Sequence, residues 1–389
     1  MYNIKLLRFL NKGNRTVYDI DVNNVIDYIN SFPEPQDLWQ RSFFQYKCHQ
    51  FLVPKWRILI FSLAGLFMLP FAIVYLRMKR IRVCFVNKEE AICENSNMEE
   101  IIPVSLKNTY KLNCKVYYSS GFSLSHADFL YFLRNALHYL LHPSFLLHIL
   151  FKIGQFSTLL KKYNPEVIIC HNEYSYAGSV LTDYCHCHNV KHMNMMHGER
   201  LLNIRATFFQ YDKCYVWHEH YKKLFIDLRA EPSQFVIEVP PSLQINVKEN
   251  YQETAFADYK YYLAAEKKED LIKIISSLKP LKERGFKVKY RPHPRYSHKE
   301  IISELFSKDE IEVPSEVNIL TSVSSCNYAI GSSSTVLLQA FLCGKGVLLD
   351  DVTYPDRIPV QRKARYILLS EEGPELLTEH IQKLQFISK

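Results

Sequence analysis

The sequence predicts an α/β protein with two Rossmann-like domains and one apolar helix that associates with a membrane. Apolar strand-like runs alternate with amphipathic helical segments, and this alternation starts twice along the chain. A single long uncharged segment precedes the first alternation. The chain has 389 residues, of which 48% are hydrophobic and 23% charged, so it is long and apolar enough for two separate cores.

Charge and cysteine usage narrow the class of protein. Lys and Arg number 48 against 40 Asp and Glu, which gives a net charge of +8. This excess suits a phosphate-bearing substrate or an anionic membrane, but it is too dispersed for a nucleic-acid-binding protein. The ten cysteines lie mostly in apolar runs, as Cys84 and Cys170 do, which indicates reduced thiols in a cytosolic compartment. The start of the chain has no apolar core of a signal peptide.

The N-terminal part divides into two segments. Residues 1–53 are predicted to be helical and have no readable role. Residues 54–80 are predicted to associate with a membrane, because Ile58 to Leu76 is a run of 19 uncharged residues with basic residues on both flanks. Pro70 and the two basic flanks leave open whether this helix spans the bilayer or lies in its surface. A buried core helix is the soluble alternative.

Residues 81–240 are predicted to form the acceptor-side α/β domain. Its predicted strands are Ile81–Val86, Lys115–Tyr118, Val167–Cys170, His192–Met196 and Lys213–Trp217. Its predicted helices are two within Phe129–Leu160, divided at Pro143, one at Ala177–His188 and one that ends at Leu228.

Residues 241–258 are predicted to be a linker, because Pro240-Pro241 opens a polar stretch. Residues 259–389 are predicted to form a second α/β domain, which binds the nucleotide donor. Its predicted strands are Tyr259–Ala264, Phe286–Tyr290, Tyr328–Ile330 and Gly346–Leu349, and its helices are Lys268–Arg284, Ser297–Phe306 and Ser334–Leu342. Ligands of such sheets bind at the carboxyl ends of the strands, so we expect a central cleft between the two domains to hold the substrates.

A basic loop follows one strand of the second domain, with the sequence Tyr-Arg-Pro-His-Pro-Arg. Its two prolines restrict the backbone around His293, and Arg291 and Arg295 flank the imidazole. Guanidinium groups match the geometry of phosphate, and a histidine can donate a hydrogen bond to phosphate or protonate a leaving group. The loop therefore indicates a phosphate site, although an ordinary exposed loop is the alternative.

A run of hydroxyl side chains follows a later strand of the same domain. Gly331 permits a tight turn, and Ser332, Ser333, Ser334 and Thr335 then lead into a helix. A helix N-terminus with several hydroxyl groups and free amides favours anion binding, whereas a simple N-cap needs only one hydroxyl. Both motifs follow strands of one parallel sheet, so we expect them at the same edge.

The pair formed by this His-Pro motif and the later Ser-Ser/Thr motif resembles two groups of bacterial enzymes. It is similar to the sialyltransferases and polysialyltransferases of the GT-B fold, and to the teichoic-acid glycerophosphotransferases. The resemblance covers residues 160–350 in layout and the two short motifs in sequence. It implies that His293, Ser333 and Ser334 hold the phosphate of a cytidine nucleotide donor, with Ser332 or Thr335 in their place if the register differs.

The catalytic base is predicted to come from the first domain, because that domain should hold the acceptor. The acidic motif that supplies the base in many of those sialyltransferases has no clear copy here. Glu173 follows the strand Val167–Cys170, and His197 follows the next strand. His197-Gly198 resembles the His-Gly of the glycerophosphotransferases, where the histidine is a proposed base. We expect Glu173, or otherwise His197, to take the proton of the acceptor hydroxyl.

No metal or cofactor is expected. The run Cys185-His186-Cys187-His188 falls on a predicted helix, where residues two apart face different directions and cannot converge on one ion. The nucleotide-activated donor is a substrate.

The sequence and its resemblance thus predict a glycosyltransferase of capsule or lipopolysaccharide synthesis at the cytoplasmic face of the inner membrane. Its partners would be a CMP-activated sialic acid or related acidic sugar and a glycan or lipid-linked acceptor. The alternatives are a CDP-alcohol phosphotransferase, a nucleotide-sugar epimerase and a non-catalytic assembly factor at the membrane.

Overall fold

A computed structural model describes residues 21–79, 88–94, 99–114, 122–332 and 334–387. The chain divides into two compact domains, with the boundary between Pro241 and Ser242. The strands predicted at Ile81–Val86 and Lys115–Tyr118, and the phosphate ligand predicted at Ser333, lie outside the described residues.

The first domain contains a six-stranded sheet and eight helices in the described residues, apart from short 3₁₀ turns. The helices are α1 (Val22–Asn30), α2 (Leu38–Phe51), α3 (Lys55–Met78), α4 (Val104–Thr109), α5 (His126–Ala136), α6 (Pro143–Tyr163), α7 (Gly178–His186) and α8 (Glu219–Asp227). The strands are β1 (Ala91–Cys93), β2 (Leu112–Asn113), β3 (Val167–Cys170), β4 (Lys191–Met195), β5 (Lys213–Val216) and β6 (Phe235–Ile237).

All strand pairs of this sheet are parallel, in the order β2-β1-β3-β4-β5-β6. Strand β3 has the predicted bounds, because its four residues are apolar and fully buried. The division of the long helical segment at Pro143 is also confirmed, since α6 begins at that proline. After β1, the chain forms β2 on one side of β1 and later β3 on its other side. The edge between β1 and β3 is therefore a switch point, where parallel sheets bind ligands.

The described part of residues 1–53 is built into the first domain. Trp39 is buried in the same hydrophobic core as Phe145 and Ile168. The hydroxyl of Ser42 accepts a hydrogen bond of 2.9 Å from the backbone N–H of Val180. The segment to which the sequence assigns no role is thus a structural part of this domain.

Helix α3 packs on α6 with one face and exposes the rest. At Gly65 a Cβ atom would lie 2.6 Å from the backbone N of Ser144, so only glycine permits this close approach of the two helices. Leu76 is fully buried, whereas Phe67 and Phe71 are 71% and 76% exposed. The helix is long and apolar enough to cross a membrane, with only 11% of its most apolar window buried.

The second domain contains a five-stranded sheet and seven helices in its described residues. The strands are β7 (Ala257–Tyr262), β8 (Val288–Arg291), β9 (Cys326–Gly331), β10 (Gly346–Leu349) and β11 (Glu375–Leu376). The helices are α9 (Val247–Asn250), α10 (Lys268–Glu283), α11 (Lys299–Leu305), α12 (Ile319–Ser324), α13 (Thr335–Leu342), α14 (Arg357–Lys363) and α15 (Leu377–Ile387).

This second sheet is also parallel, in the order β11-β10-β9-β7-β8. The predicted fold class, with two α/β domains built on parallel sheets, is confirmed. The predicted linker 241–258 contains the short helix α9, and β7 begins inside it at Ala257. The switch point of this sheet lies between β7 and β9, and the loop with His293 follows β8 on the other side of β7.

Candidate functional site

The loop after β8 fixes the orientation of His293. Its Nδ1 accepts hydrogen bonds from the backbone N–H groups of Arg295 at 3.1 Å and Tyr296 at 3.3 Å. The ring stacks on Tyr296, with the centroids 4.5 Å apart. A neutral imidazole whose Nδ1 accepts carries its proton on Nε2, so His293 presents an N–H donor. This is the form that binds a phosphate oxygen.

The His293 loop is tied to the end of β7. The backbone N–H of His293 donates to the hydroxyl of Ser297 at 2.8 Å, and that hydroxyl donates to the carbonyl of Ala264 at 2.7 Å. Strand β7 lies between β8 and β9, so the strands that lead to the two predicted motifs are about 10 Å apart. The two loops therefore border the end of β7 from both sides.

The hydroxyl run after β9 leads into α13 as predicted. Ser334 is the N-cap of that helix, and its hydroxyl accepts a hydrogen bond of 3.3 Å from the backbone N–H of Val336. Thr335 is the first helical residue and is exposed. Ser332 is buried, and its hydroxyl accepts a hydrogen bond of 3.1 Å from Arg357. The positive end of the dipole of α13 lies at this N-terminus, which remains suited to an anion.

Arg357 is a basic residue at this edge that the sequence did not single out. It opens α14, after β10, and its guanidinium lies 3.8 Å from the ring centroid of Tyr354. Its side chain is exposed and reaches Ser332 across the sheet edge. Only the strand order, which puts β10 beside β9, brings it to the serine motif. It adds a positive charge where the predicted phosphate would bind.

Arg291, which the sequence predicts as a phosphate ligand, lies in a buried ion pair with Glu312. Its guanidinium is buried and donates to Glu312 at 2.7 Å and to the carbonyl of Val317 at 2.8 Å. Glu312 also pairs with Lys260, whose side chain is fully buried. These contacts hold the segment 312–317 against β8. Arg295 is exposed on the loop, as a ligand contact requires.

A cavity opens beside the His293 loop. It has a volume of about 580 Å³ and is lined by His293, Lys299, Ile302, Lys308 and Pro314, among others. Its walls combine apolar residues with polar and charged ones, among them two lysines and Glu316, and its size is in the range of small-molecule sites. A phosphate on His293 would thus have space beside it for a nucleoside.

At the switch point of the first sheet, Glu173 forms a buried ion pair with Arg200. Arg200 also contacts Nδ1 of His197 at 2.8 Å, and the ring of His197 lies 4.3 Å from that of His171. His197 is exposed to 41%, whereas the side chain of Glu173 is exposed to 1%. The two residues predicted as alternative bases are therefore linked through one arginine, and His197 is the one that reaches solvent.

The protonation of His197 follows from its surroundings. Partial burial, together with the positive charge of Arg200, lowers the pKa of His197 below its ordinary value. The imidazole is therefore neutral at pH 7, which is the state in which it can accept a proton. The negative charge of Glu173 raises the pKa of His197, but it offsets only part of this lowering.

Two further carboxyl groups lie at the same edge and were not found from the sequence. Glu94 follows β1, accepts a hydrogen bond from the side chain of Asn172, and has a pKa raised to about 7 by burial. Glu199 has a pKa raised to about 8 by burial, and its Oε1 has no hydrogen-bond partner among the described residues. Strand β1 has only three residues, which is too short for a periodic signal. In the described part of the chain, no group of three or more His, Cys, Asp or Glu is placed to hold a metal ion.

No family model matches the sequence, and no curated protein matches it either. Solved structures are similar in fold at low identity. The wall teichoic acid polymerase TagF is 10% identical, with 85% of this chain and 88% of that chain covered at a TM-score of 0.42. A putative UDP-N-acetylglucosamine 2-epimerase from Listeria monocytogenes is 10% identical, with 78% and 88% covered at 0.43. The UDP-N-acetylglucosamine 2-epimerase from Rickettsia bellii is 14% identical, with 67% and 78% covered at 0.36. These values do not identify a family for the chain.

Proposed function

We propose that this protein is a transferase of surface-polysaccharide synthesis that uses a cytidine-nucleotide donor. In the leading case it moves a sialic acid or related acidic sugar from a CMP donor to a glycan or lipid-linked acceptor. The observation that carries the proposal is the orientation of His293, whose Nδ1 is held by two backbone amides so that Nε2–H is left to donate. Such a donor at a strand end suits the phosphate of a departing nucleotide.

In the proposed reaction the acceptor hydroxyl oxygen attacks the anomeric carbon of the donor. The bond from that carbon to the phosphate oxygen breaks, and CMP leaves with the electron pair. His293, the amides that begin α13 and Arg357 stabilise the charge on the leaving phosphate. His197 takes the proton of the acceptor hydroxyl, since it is neutral and exposed.

Glu173 is proposed to position His197 rather than to act as the base itself. Its buried carboxylate pairs with Arg200, and Arg200 contacts the ring of His197. The arginine holds a ring nitrogen that must become available for the proton, so a shift of this contact has to accompany catalysis.

A CDP-alcohol phosphotransferase is the second candidate, and the His197-Gly198 pair at the strand end, with His197 exposed, favours it. There the acceptor oxygen would attack the phosphorus that carries the alcohol, and CMP would again leave. The roles of His293 and His197 are the same in both reactions, so only the donor distinguishes them.

The exposed face of α3 supports contact with a membrane, and we propose that this is the cytoplasmic face of the inner membrane. Phe67, Phe71 and Met78 are all more than two-thirds exposed, and Lys55, Arg77 and Lys79 lie at the helix ends. Because α3 is packed along α6 and Leu76 belongs to the domain core, we propose that the helix lies in the plane of the membrane surface.

A donor panel tests the proposal. Purified protein in vesicles would be supplied with CMP-sugars, CDP-alcohols and UDP-sugars, each with membrane-extracted acceptors, and released nucleotide would be measured. CMP release from a CMP-sugar supports the leading case, and CMP release from a CDP-alcohol supports the second. Interconversion of a UDP-sugar without transfer would identify an epimerase, and no turnover of any donor would contradict both transferase proposals.

A further inference from the structure

A second cavity lies in the first domain, between helices α2, α3 and α6. Its volume is about 520 Å³, and its lining includes His49, Phe61, Met68, Leu147, Phe151 and Tyr176. This volume is sufficient for a long hydrocarbon chain or a small apolar ligand. Neither the proposed donor nor the proposed base uses this space.

The cavity opens at the apolar outer face of α3. Phe61 and Met68 line it and are also 42% and 53% exposed, so its mouth adjoins the surface proposed to contact the membrane. The backbone contact between Gly65 and Ser144 sets the spacing of α3 and α6, and the helices cannot move closer to fill the space. A chain could therefore enter from the bilayer without crossing water.

The polar groups in the lining carry no charge. Burial lowers the pKa of His49 and of His148 to about 4, so both rings are neutral at pH 7. The Nε2 atom of His49 is shielded from water and has no hydrogen-bond partner among the described residues. The lining thus favours hydrocarbon, and its uncharged polar groups can contact an uncharged part of a ligand.

One wall of the cavity belongs to the loop with the candidate base. Tyr176 lies three residues after Glu173 in the connection from β3 to α7, and its ring packs against His49 at 5.1 Å. Gln45 of α2 donates to the backbone carbonyl of Glu173 at 3.0 Å. The cavity and the reactive edge of the first sheet therefore share a loop and a supporting helix.

We propose that this cavity holds the hydrocarbon chain of a membrane-anchored acceptor, whose polar head extends to the edge with Glu173 and His197. The proposal rests on the proposed transferase function, to which it adds the class of acceptor. It accounts for the position of an apolar cavity between a membrane-facing helix and a proton-accepting edge.

Photo-crosslinking tests this proposal in the full-length protein. The probe is a hexadecyl phosphate with a diazirine near the end of its chain, carried in vesicles of phosphatidylethanolamine and phosphatidylglycerol. We expect label on the cavity-facing residues of α3 and α6. Ala64→Trp fills the cavity from its α3 wall and should reduce this label about tenfold. Leu66→Trp is the matched control, because Leu66 lies on the same helix, is 59% exposed and does not line the cavity.

Equal labelling in both variants, or label confined to the outer face of α3, would overturn the proposal. A parallel assay of nucleotide release with a water-soluble acceptor distinguishes failure of the proposed lipid site from failure of the proposed transferase function. Ala64→Trp should retain release with that acceptor and lose it with a lipid-linked one. Label in the cavity without any nucleotide release would instead refute the transferase and leave a lipid site of another purpose.

Discussion

The two domains have the same parallel architecture but bury different chemistry. Besides the buried ion pair of Glu173 with Arg200, the interior of the first domain holds histidines whose charge is disfavoured by burial, so that the pKa values of His49, His148 and His192 fall to between about 3 and 4. The second domain buries charges in contact with one another, in the network of Lys260, Glu312 and Arg291.

This difference extends to the two sheet edges. The first edge has His197 with a lowered pKa, and Glu94 and Glu199 with pKa values near 7 and 8, so its groups can exchange protons near neutral pH. The second edge presents donors, namely His293 Nε2–H, helix amides and Arg357. The division suits proton transfer on one domain and anion binding on the other.

The largest effect is expected where the buried charge network is broken. Lys260→Met would remove one of the two buried cations that pair with Glu312 and would leave the carbonyl of Ser322 without the lysine donor, so the second domain should lose about 3–5 kcal/mol of stability. Lys268→Met, in an exposed pair with Glu304, should change stability by less than about 1 kcal/mol. Denaturant unfolding measures the free energy of unfolding of both variants. Equally small losses of stability in the two would show that the buried network does not stabilise the domain.

In the first domain, Glu199→Gln should increase stability at alkaline pH. The folded-state pKa of Glu199 is about 8, above the unfolded value, so its proton is retained in the native state and the wild type loses stability as pH rises to about 8. A glutamine does not titrate. The variant should therefore gain about 1 kcal/mol for each pH unit between 5 and 8 relative to the wild type. A stability difference that is constant over this range would contradict the assignment.

Removal of the positive charge beside the serine motif should weaken nucleotide binding. Arg357→Ala is expected to reduce the affinity for CMP about tenfold, since the proposed charge-assisted contact between this guanidinium and the phosphate is lost. Arg362→Ala, in the last turn of the same helix, should leave the affinity unchanged. Calorimetric titration measures the affinity of both variants for CMP. Equal affinities of Arg357→Ala and the wild type would show that Arg357 does not contact the nucleotide.

The smallest effect is expected on the pH dependence of turnover. Arg200 lowers the pKa of His197, so Arg200→Gln should move the acidic limb of the rate profile to higher pH by about one unit. If the acidic limb of the pH–rate profile stayed at the same pH in Arg200→Gln, another group would be the base. Glu173→Gln should move the limb in the opposite direction, because the carboxylate raises the pKa of His197.

The local sequence was sufficient to predict those helices and strands that neighbouring residues determine. Strands β3 and β10 and the break at Pro143 were predicted at the observed residues, because apolar runs and a proline determine them. The placement of His293 and Ser334 at strand ends followed from the same patterns. Contacts between residues that are far apart in the sequence could not be predicted from such patterns. The partner of Arg291 is Glu312, and that of Glu173 is Arg200, contacts which depend on packing rather than on spacing.

We propose above all that His293 donates a hydrogen bond from Nε2 to the phosphate of a cytidine nucleotide. Calorimetric titration of CMP into the wild type, His293→Ala and Tyr296→Phe tests it most directly. We predict that His293→Ala weakens binding at least about tenfold, because a hydrogen bond to a charged group contributes about 1.5–3 kcal/mol. Tyr296→Phe retains the ring that stacks on His293 and should bind CMP like the wild type. Equal affinity of His293→Ala and the wild type would contradict the account.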